Sequence, residues 1–232
     1  MAGSWPIPPT VMSQTIPRPS EHYFRKVNLE ITTACNLSCP ECSAATNNTG
    51  KRPAHHHPWE YFEEAAKWIH GMDSLVVIGG EPTLHPKFAE FVPRFRALFG
   101  CREMVLWTNG FQVEKHQQVI RDNFDAVYAS LYDERTAPWN KRPNGGLVQF
   151  VKGNFEHLTM EQPHISLSHR GSGDICERGV HGPVTYADGK LYGCCVAMGL
   201  PDGIGVVPSE NWRADVLNAP LPCSECCFSP AV

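Results

Sequence analysis

The chain has 232 residues, 42% of them hydrophobic, with 24 acidic against 20 basic side chains and a formal net charge of −4. That length accommodates one catalytic domain with a modest appendage, domains commonly running to about 100–200 residues, and the slight acidity argues against a nucleic-acid backbone as the main partner. No apolar run approaches the roughly 18 residues of a membrane span, and the N-terminus lacks the basic-then-apolar layout of a signal peptide, so a cytoplasmic protein is expected.

Residues 1–22 are rich in proline without apolar periodicity and read as an extended leader. Val27–Thr32 alternates as a strand and runs into a cysteine-bearing loop. Pro58 opens a helix expected to reach His70, and Leu75–Ile78 is a short apolar strand that ends at Gly79-Gly80. Pro86 opens a second helix through Phe99, with Phe88, Phe91, Val92, Phe95 and Leu98 on one side; Pro93 inside it should bend or shorten it. Glu103–Trp107 is the next strand, Val113–Asn123 the next helix, and Ala126–Leu131 a fourth strand. Further strands are expected at Leu147–Val151 and Ile165–Ser168.

Alternating strands and helices imply a parallel sheet whose ligands bind at the carboxyl ends of the strands. Each unusual motif falls just after a strand: the cysteine loop after the first, Gly79-Gly80-Glu81-Pro82 after the second, Thr108-Asn109-Gly110 after the third, and Ser130 at the end of the fourth. The expected fold is an α/β open, partial TIM-like (β/α) barrel over residues 23–170. From Gly171 the chain breaks into short pieces rich in Gly, Pro and Cys, read as a small C-terminal metal-organised lobe over residues 171–232. Within it, Val184–Tyr186 and Lys190–Tyr192 form a hairpin around Asp188-Gly189.

Ten cysteines in an intracellular chain point to metal or redox chemistry rather than disulfides. Three of them, Cys35, Cys39 and Cys42, share a C-x3-C-x2-C spacing. Thiolates ligate iron–sulfur clusters, and three of them leave one iron of a cubane open for an exogenous chelator. Zinc is the alternative, requiring a fourth ligand from elsewhere. The second set is Cys176, Cys194, Cys195, Cys223, Cys226 and Cys227, and four ligands from it would close a cluster or a structural zinc site. Cys101 reads as a buried thiol. His55-His56-His57 reads as a loop, since three consecutive histidines do not readily face one ion.

The C-x3-C-x2-C loop after the first strand, followed about 40 residues later by Gly79-Gly80-Glu81-Pro82, resembles the signature of the radical S-adenosylmethionine (SAM) superfamily. The resemblance implies a [4Fe–4S] cluster on Cys35, Cys39 and Cys42. It implies SAM held by Gly79, Gly80, Glu81 and Pro82, with Glu81 accepting from the SAM ammonium, and Asn109 and Ser130 near the SAM sugar. The second cysteine set is similar to the auxiliary-cluster lobe called twitch, a shortened SPASM domain. That implies a second [4Fe–4S] cluster on Cys176, Cys194, Cys223 and Cys226, with Cys195 and Cys227 as alternatives to Cys194 and Cys226. Ser168-His169-Arg170-Gly171 resembles a segment of small radical SAM dehydrogenases acting on aminocyclitols, making Arg170 a candidate substrate contact. The implied activity is reductive cleavage of SAM to a 5′-deoxyadenosyl radical that abstracts hydrogen from substrate. The expected outcome is oxidation of a small molecule, with radical modification or epimerisation of a ribosomally made peptide as the alternative and a non-catalytic zinc module as a third reading. An electron donor such as flavodoxin or ferredoxin is implied as partner.

Overall fold

Lys26–Glu30 (β1), Ser74–Ile78 (β2), Glu103–Thr108 (β3) and Ala126–Ala129 (β4) are short runs rich in Val, Leu and Met, and they lie side by side as parallel strands. The computed structural model describes residues 26–37, 44, 52–129, 184–193, 198 and 205–219. The leader, the expected strands at 147–151 and 165–168, and most of the C-terminal segment lie outside them.

Three helices follow the strands: Trp59–Trp68 (α1), Phe88–Phe99 (α2) and Gln117–Asn123 (α3). Each begins later than its apolar pattern suggests. α3 is preceded by turns over residues 111–116, and Pro82–Leu84 forms a 3-10 turn ahead of α2. α2 runs through Pro93 to Phe99, so the residue expected to bend or shorten the helix does not end it. The ring forfeits the hydrogen bond that residue 93 would donate to residue 89 and crowds that residue's carbonyl, a local cost. Phe88, Phe91, Val92, Phe95 and Phe99 are all buried and hold that segment on the sheet. Gly100, at φ 60°, stops it in the left-handed conformation and donates its N–H to Arg96 O at 3.0 Å.

Strand alternation sorts the two faces of the sheet. Val27, Leu29, Leu75, Val77, Met104, Leu106 and Val127 pack with Phe62, Phe91, Phe95 and Ile120 of the helices into one core. Each fully buried aromatic such as Phe62 or Phe95 contributes roughly 1.5–3 kcal/mol of burial. Val76, Val105 and Ala126 form a second, smaller cluster with Ile78 and Tyr128.

The hairpin Val184–Ala187 (β5) and Lys190–Tyr192 (β6) was expected in a C-terminal lobe. It is instead an edge of the main sheet, whose order is β4-β3-β2-β1-β5-β6. β5 lies parallel to β1, with Val27 opposite Val184 and Leu29 opposite Tyr186, and β6 returns antiparallel. Val184 and Tyr186 are buried in the helix-side core, and Asn28 Nδ2 donates to Thr185 Oγ1 at 3.2 Å on a buried contact. The physical reason is burial: β1 would otherwise leave a backbone edge unpaired beside an apolar core. Asp188 and Gly189, at φ 50° and 73°, make the primed turn that their sequence announces. Trp212–Asn218 (α4) adds Trp212 and Val216 to the same core.

Candidate active site

At the carboxyl end of the sheet the segment after β1 is laid directly on the segment after β2. Gly80 N donates to Thr32 O and Glu81 N to Ala34 O, both at 2.8 Å. A Cβ on Gly79 would stand 2.4 Å from Thr32 O, and one on Gly80 would stand 2.4 Å from Ala34 O. These glycines are therefore required for the close approach of two backbone segments, one of which leads straight into Cys35. The histidine run supports the same segment from its other side. Thr33 N donates to His55 O at 2.9 Å, Thr32 Oγ1 bonds His56 Nδ1 at 2.9 Å, and His57 N donates to Ile31 O at 3.2 Å. His57 stacks on Tyr61 with ring centroids 3.8 Å apart. The three histidines do not converge on one point, in line with a loop role.

Glu81 is fully buried and spends its carboxylate inside the fold. Its Oε1 accepts from Thr83 N at 3.0 Å, Thr83 Oγ1 at 2.5 Å and Thr108 Oγ1 at 2.7 Å, while Oε2 accepts from Asn109 N at 2.6 Å. Burial pushes this carboxyl above the usual carboxylate range, and the hydrogen bonds from Asn109, Thr83 and Thr108 oppose that push. Glu81 thus braces the end of β2 to the end of β3. Oε1 carries three of these four donors and Oε2 only one.

Asn109 carries the brace on to the cysteine loop. Its Nδ2 donates to Asn36 Oδ1 at 2.7 Å and lies 4.0 Å from Cys35 Sγ, which also receives the Leu37 N–H at 3.4 Å. Thr108 Oγ1 accepts from Gly110 N at 3.0 Å, and Gly110 sits at φ 86°, where a side chain is disfavoured. N–H donors aimed at a sulfur suit a thiolate or a thiolate bound to a metal, so the described part of the cysteine loop fits an iron–sulfur ligand.

The structure thereby gathers Cys35, Gly79, Gly80, Glu81, Pro82 and Asn109 at the ends of β1, β2 and β3. Cys39, Cys42, Ser130, Arg170, Cys176, Cys194, Cys195, Cys223, Cys226 and Cys227 lie outside the described residues. Cys101 is buried at the other end of the sheet, before β3, and burial raises its thiol pKa to about 11. Sequence reasoning missed Thr83, which holds Glu81, although a threonine two residues past an acidic residue is a common local hydrogen-bonding turn. It also missed Arg52. Its guanidinium bonds both oxygens of buried Glu30 at 2.7 and 2.6 Å, Ala44 O at 3.0 Å and Asp188 Oδ2 at 2.7 Å. No local pattern marks that residue, since Asp188 is 136 positions away.

Residues 29–133 match the model of the family described as the Radical SAM superfamily. Among curated proteins, a probable GTP 3′,8-cyclase of Methanococcus aeolicus is 28% identical over 137 residues, 57% of this chain and 45% of that protein. A 7,8-dihydro-6-hydroxymethylpterin dimethyltransferase of Methanocaldococcus jannaschii is 32% identical over 107 residues, 45% of this chain and 21% of that protein. The chain spans less than half the length of these two relatives. Among solved structures, BtrN in complex with AdoMet and 2-DOIA superposes with a TM-score of 0.53 at 13% identity, over 84% of this chain and 82% of that one. That likeness shows a common fold.

Proposed function

We propose that this chain, which carries a radical SAM superfamily domain over residues 29–133, is an enzyme that reductively cleaves SAM and removes hydrogen from a small-molecule substrate. One observation carries the reading: Asn109 joins Glu81, Asn36 and Cys35, so three strand ends with three separate motifs are fastened into one site. Cys35, Cys39 and Cys42 would hold the [4Fe–4S] cluster. When bound, cluster and SAM together supply a one-electron reduction of the sulfonium and a radical able to attack an unactivated C–H bond.

The chain's own residues do the placing. Gly79 and Gly80 keep the post-β2 segment flush against the approach to Cys35, and Pro82 starts the 3-10 turn that carries Thr83 under the Glu81 carboxylate. Glu81 acts by rigidity, holding Asn109 in register with Cys35. Asn109 and Ser130 would border the SAM sugar, and Arg170 would meet substrate. A small-molecule substrate is favoured over a peptide by the names of the relatives, one for GTP and one for a pterin. Those names describe a cyclisation and a methyl transfer, so the net oxidation proposed here rests on the second cysteine set, Cys176, Cys194, Cys223 and Cys226, which would accept an electron as an auxiliary cluster. Flavodoxin or ferredoxin would supply the first electron.

Anaerobic reconstitution with iron and sulfide, followed by SAM and dithionite, tests the reading. A brown protein that forms 5′-deoxyadenosine is expected, with none from Cys35→Ala. Loaded protein that forms no nucleoside, or a colourless protein carrying zinc, would overturn it. The auxiliary cluster predicts about eight irons per chain, falling to about four in Cys223→Ala/Cys226→Ala; an unchanged iron count would remove it.

A further inference from the structure

Arg52 follows the cysteine loop in sequence and ties three separated segments with four hydrogen bonds. Two go to Glu30 on β1, one to Asp188 in the β5–β6 turn, and one to the carbonyl of Ala44, which stands two residues after Cys42. Glu30 is fully buried, Ala44 is buried, and the Arg52 side chain is 12% exposed. The planar fork matters: two parallel N–H groups engage Glu30 while others remain for a carbonyl and a second carboxylate, which a lysine cannot reproduce. Glu30, His57 and Asp188 also bring potential ligand atoms within 4.8 Å of one another. The guanidinium already supplies the cation there, and the trio carries no metal assignment.

We propose that Arg52 is a positioning residue for the cysteine loop, gripping Ala44 O, two residues past Cys42, from an anchorage on Glu30 and Asp188. The proposal rests on the radical SAM reading above. It makes the hairpin part of the cluster's support, because one of the two carboxylates that hold the guanidinium comes from the β5–β6 turn. It also accounts for a buried charge, Glu30, on β1: the ion pair specifies where a loop goes.

The test compares the parent with Arg52→Lys, Asp188→Ala and the paired variant Glu30→Gln/Arg52→Gln, which removes both charges and leaves no buried carboxylate alone. Each protein is melted without cluster, then reconstituted, and its iron loss to a ferrous chelator is timed. The EPR spectrum of the reduced cluster is recorded with and without SAM. The paired variant should melt near the parent yet release iron about tenfold faster, the range seen when groups behind metal ligands are removed. Arg52→Lys and Asp188→Ala should fall between, and the SAM-induced change in the EPR signal should shrink in the same order. Variants that fold and keep their iron as long as the parent overturn the proposal. So does failure of both Arg52→Lys and the paired variant to fold, which would make Arg52 a residue of the fold alone. A parent that takes up no cubane overturns the radical SAM reading, and this inference with it.

Discussion

Glu81 Oε2 accepts the backbone N–H of Asn109 at 2.6 Å, across 28 residues of sequence. This bond makes the segment after β2 and the segment after β3 a single unit, with Cys35 held at its rim through the Asn109 amide.

Glu81→Gln keeps the shape but turns an NH2 toward groups that are themselves donors. The variant should lose about 1–3 kcal/mol of stability, the usual cost of a buried polar group left unpaired. Melting should drop by about 2–4 °C per kcal/mol for a chain of this size, and SAM binding should weaken with it. Calorimetry and equilibrium dialysis with SAM check both effects.

The same residue sets a pH dependence. Burial raises its folded carboxyl above the ordinary range, so the folded state holds its proton to higher pH than the unfolded one does. Stability contributed by Glu81 is then fully present below the ordinary carboxylate range and is lost as pH rises through the raised folded value. Subtracting the stability curve of Glu81→Gln from that of the parent should show this fall, and a difference that rises with pH would contradict it.

Gly80→Ala and Gly189→Ala separate close approach from backbone strain. A Cβ at position 80 meets the Thr33 and Ala34 carbonyls at 2.6 and 2.4 Å, whereas at position 189 nothing lies within 4 Å and only φ 73° opposes it. Gly80→Ala should cost about 1–3 kcal/mol through forced backbone shifts and should abolish 5′-deoxyadenosine formation. Gly189→Ala should cost about 1 kcal/mol and leave the nucleoside yield largely intact. Denaturant melts and a nucleoside assay decide it.

Thr185→Val tests whether the hairpin belongs to the sheet. The substitution removes the acceptor of the buried Asn28 amide and should destabilise the whole domain by about 1–3 kcal/mol. A single cooperative transition shifted downward is expected. An unshifted main transition would place the hairpin in a separate unit.

Cys101, buried, should react more slowly than the half-buried Cys35 in the cluster-free protein. Its pKa stands at about 11, raised from 9.0 by burial, which leaves about a hundredfold less thiolate at pH 8 for alkylation. Mass spectrometry after timed iodoacetamide treatment should find residue 101 modified after residue 35, with urea abolishing the delay.

The strands β1 to β4 and the helices between them were legible because their signals are local. Alternation in Val27–Thr32, apolar runs at residues 75–78 and 103–107, and the Phe stripe of α2 follow from backbone periods of two and 3.6 residues. The motifs were legible for a related reason: Gly79-Gly80-Glu81-Pro82 and Thr108-Asn109-Gly110 each directly follow a strand, which in a parallel sheet places them at one end. Asp188-Gly189 likewise announced its own turn.

What the residues could not declare by themselves was who their partners are. Nothing in Val184–Ala187 names β1 as its neighbour, since any parallel strand with a free edge offers the same hydrogen bonds, and the pairing bridges Asn28 and Thr185 across 157 positions. The sequence context of Glu81 is silent about Thr108 and Asn109, whose donors reach it only once β2 and β3 are side by side. Arg52 carried no pattern at all. Local periodicity is set by the backbone of one segment, but saturation of a buried charge depends on which segments the folded chain brings to it, and only the tertiary structure decides that.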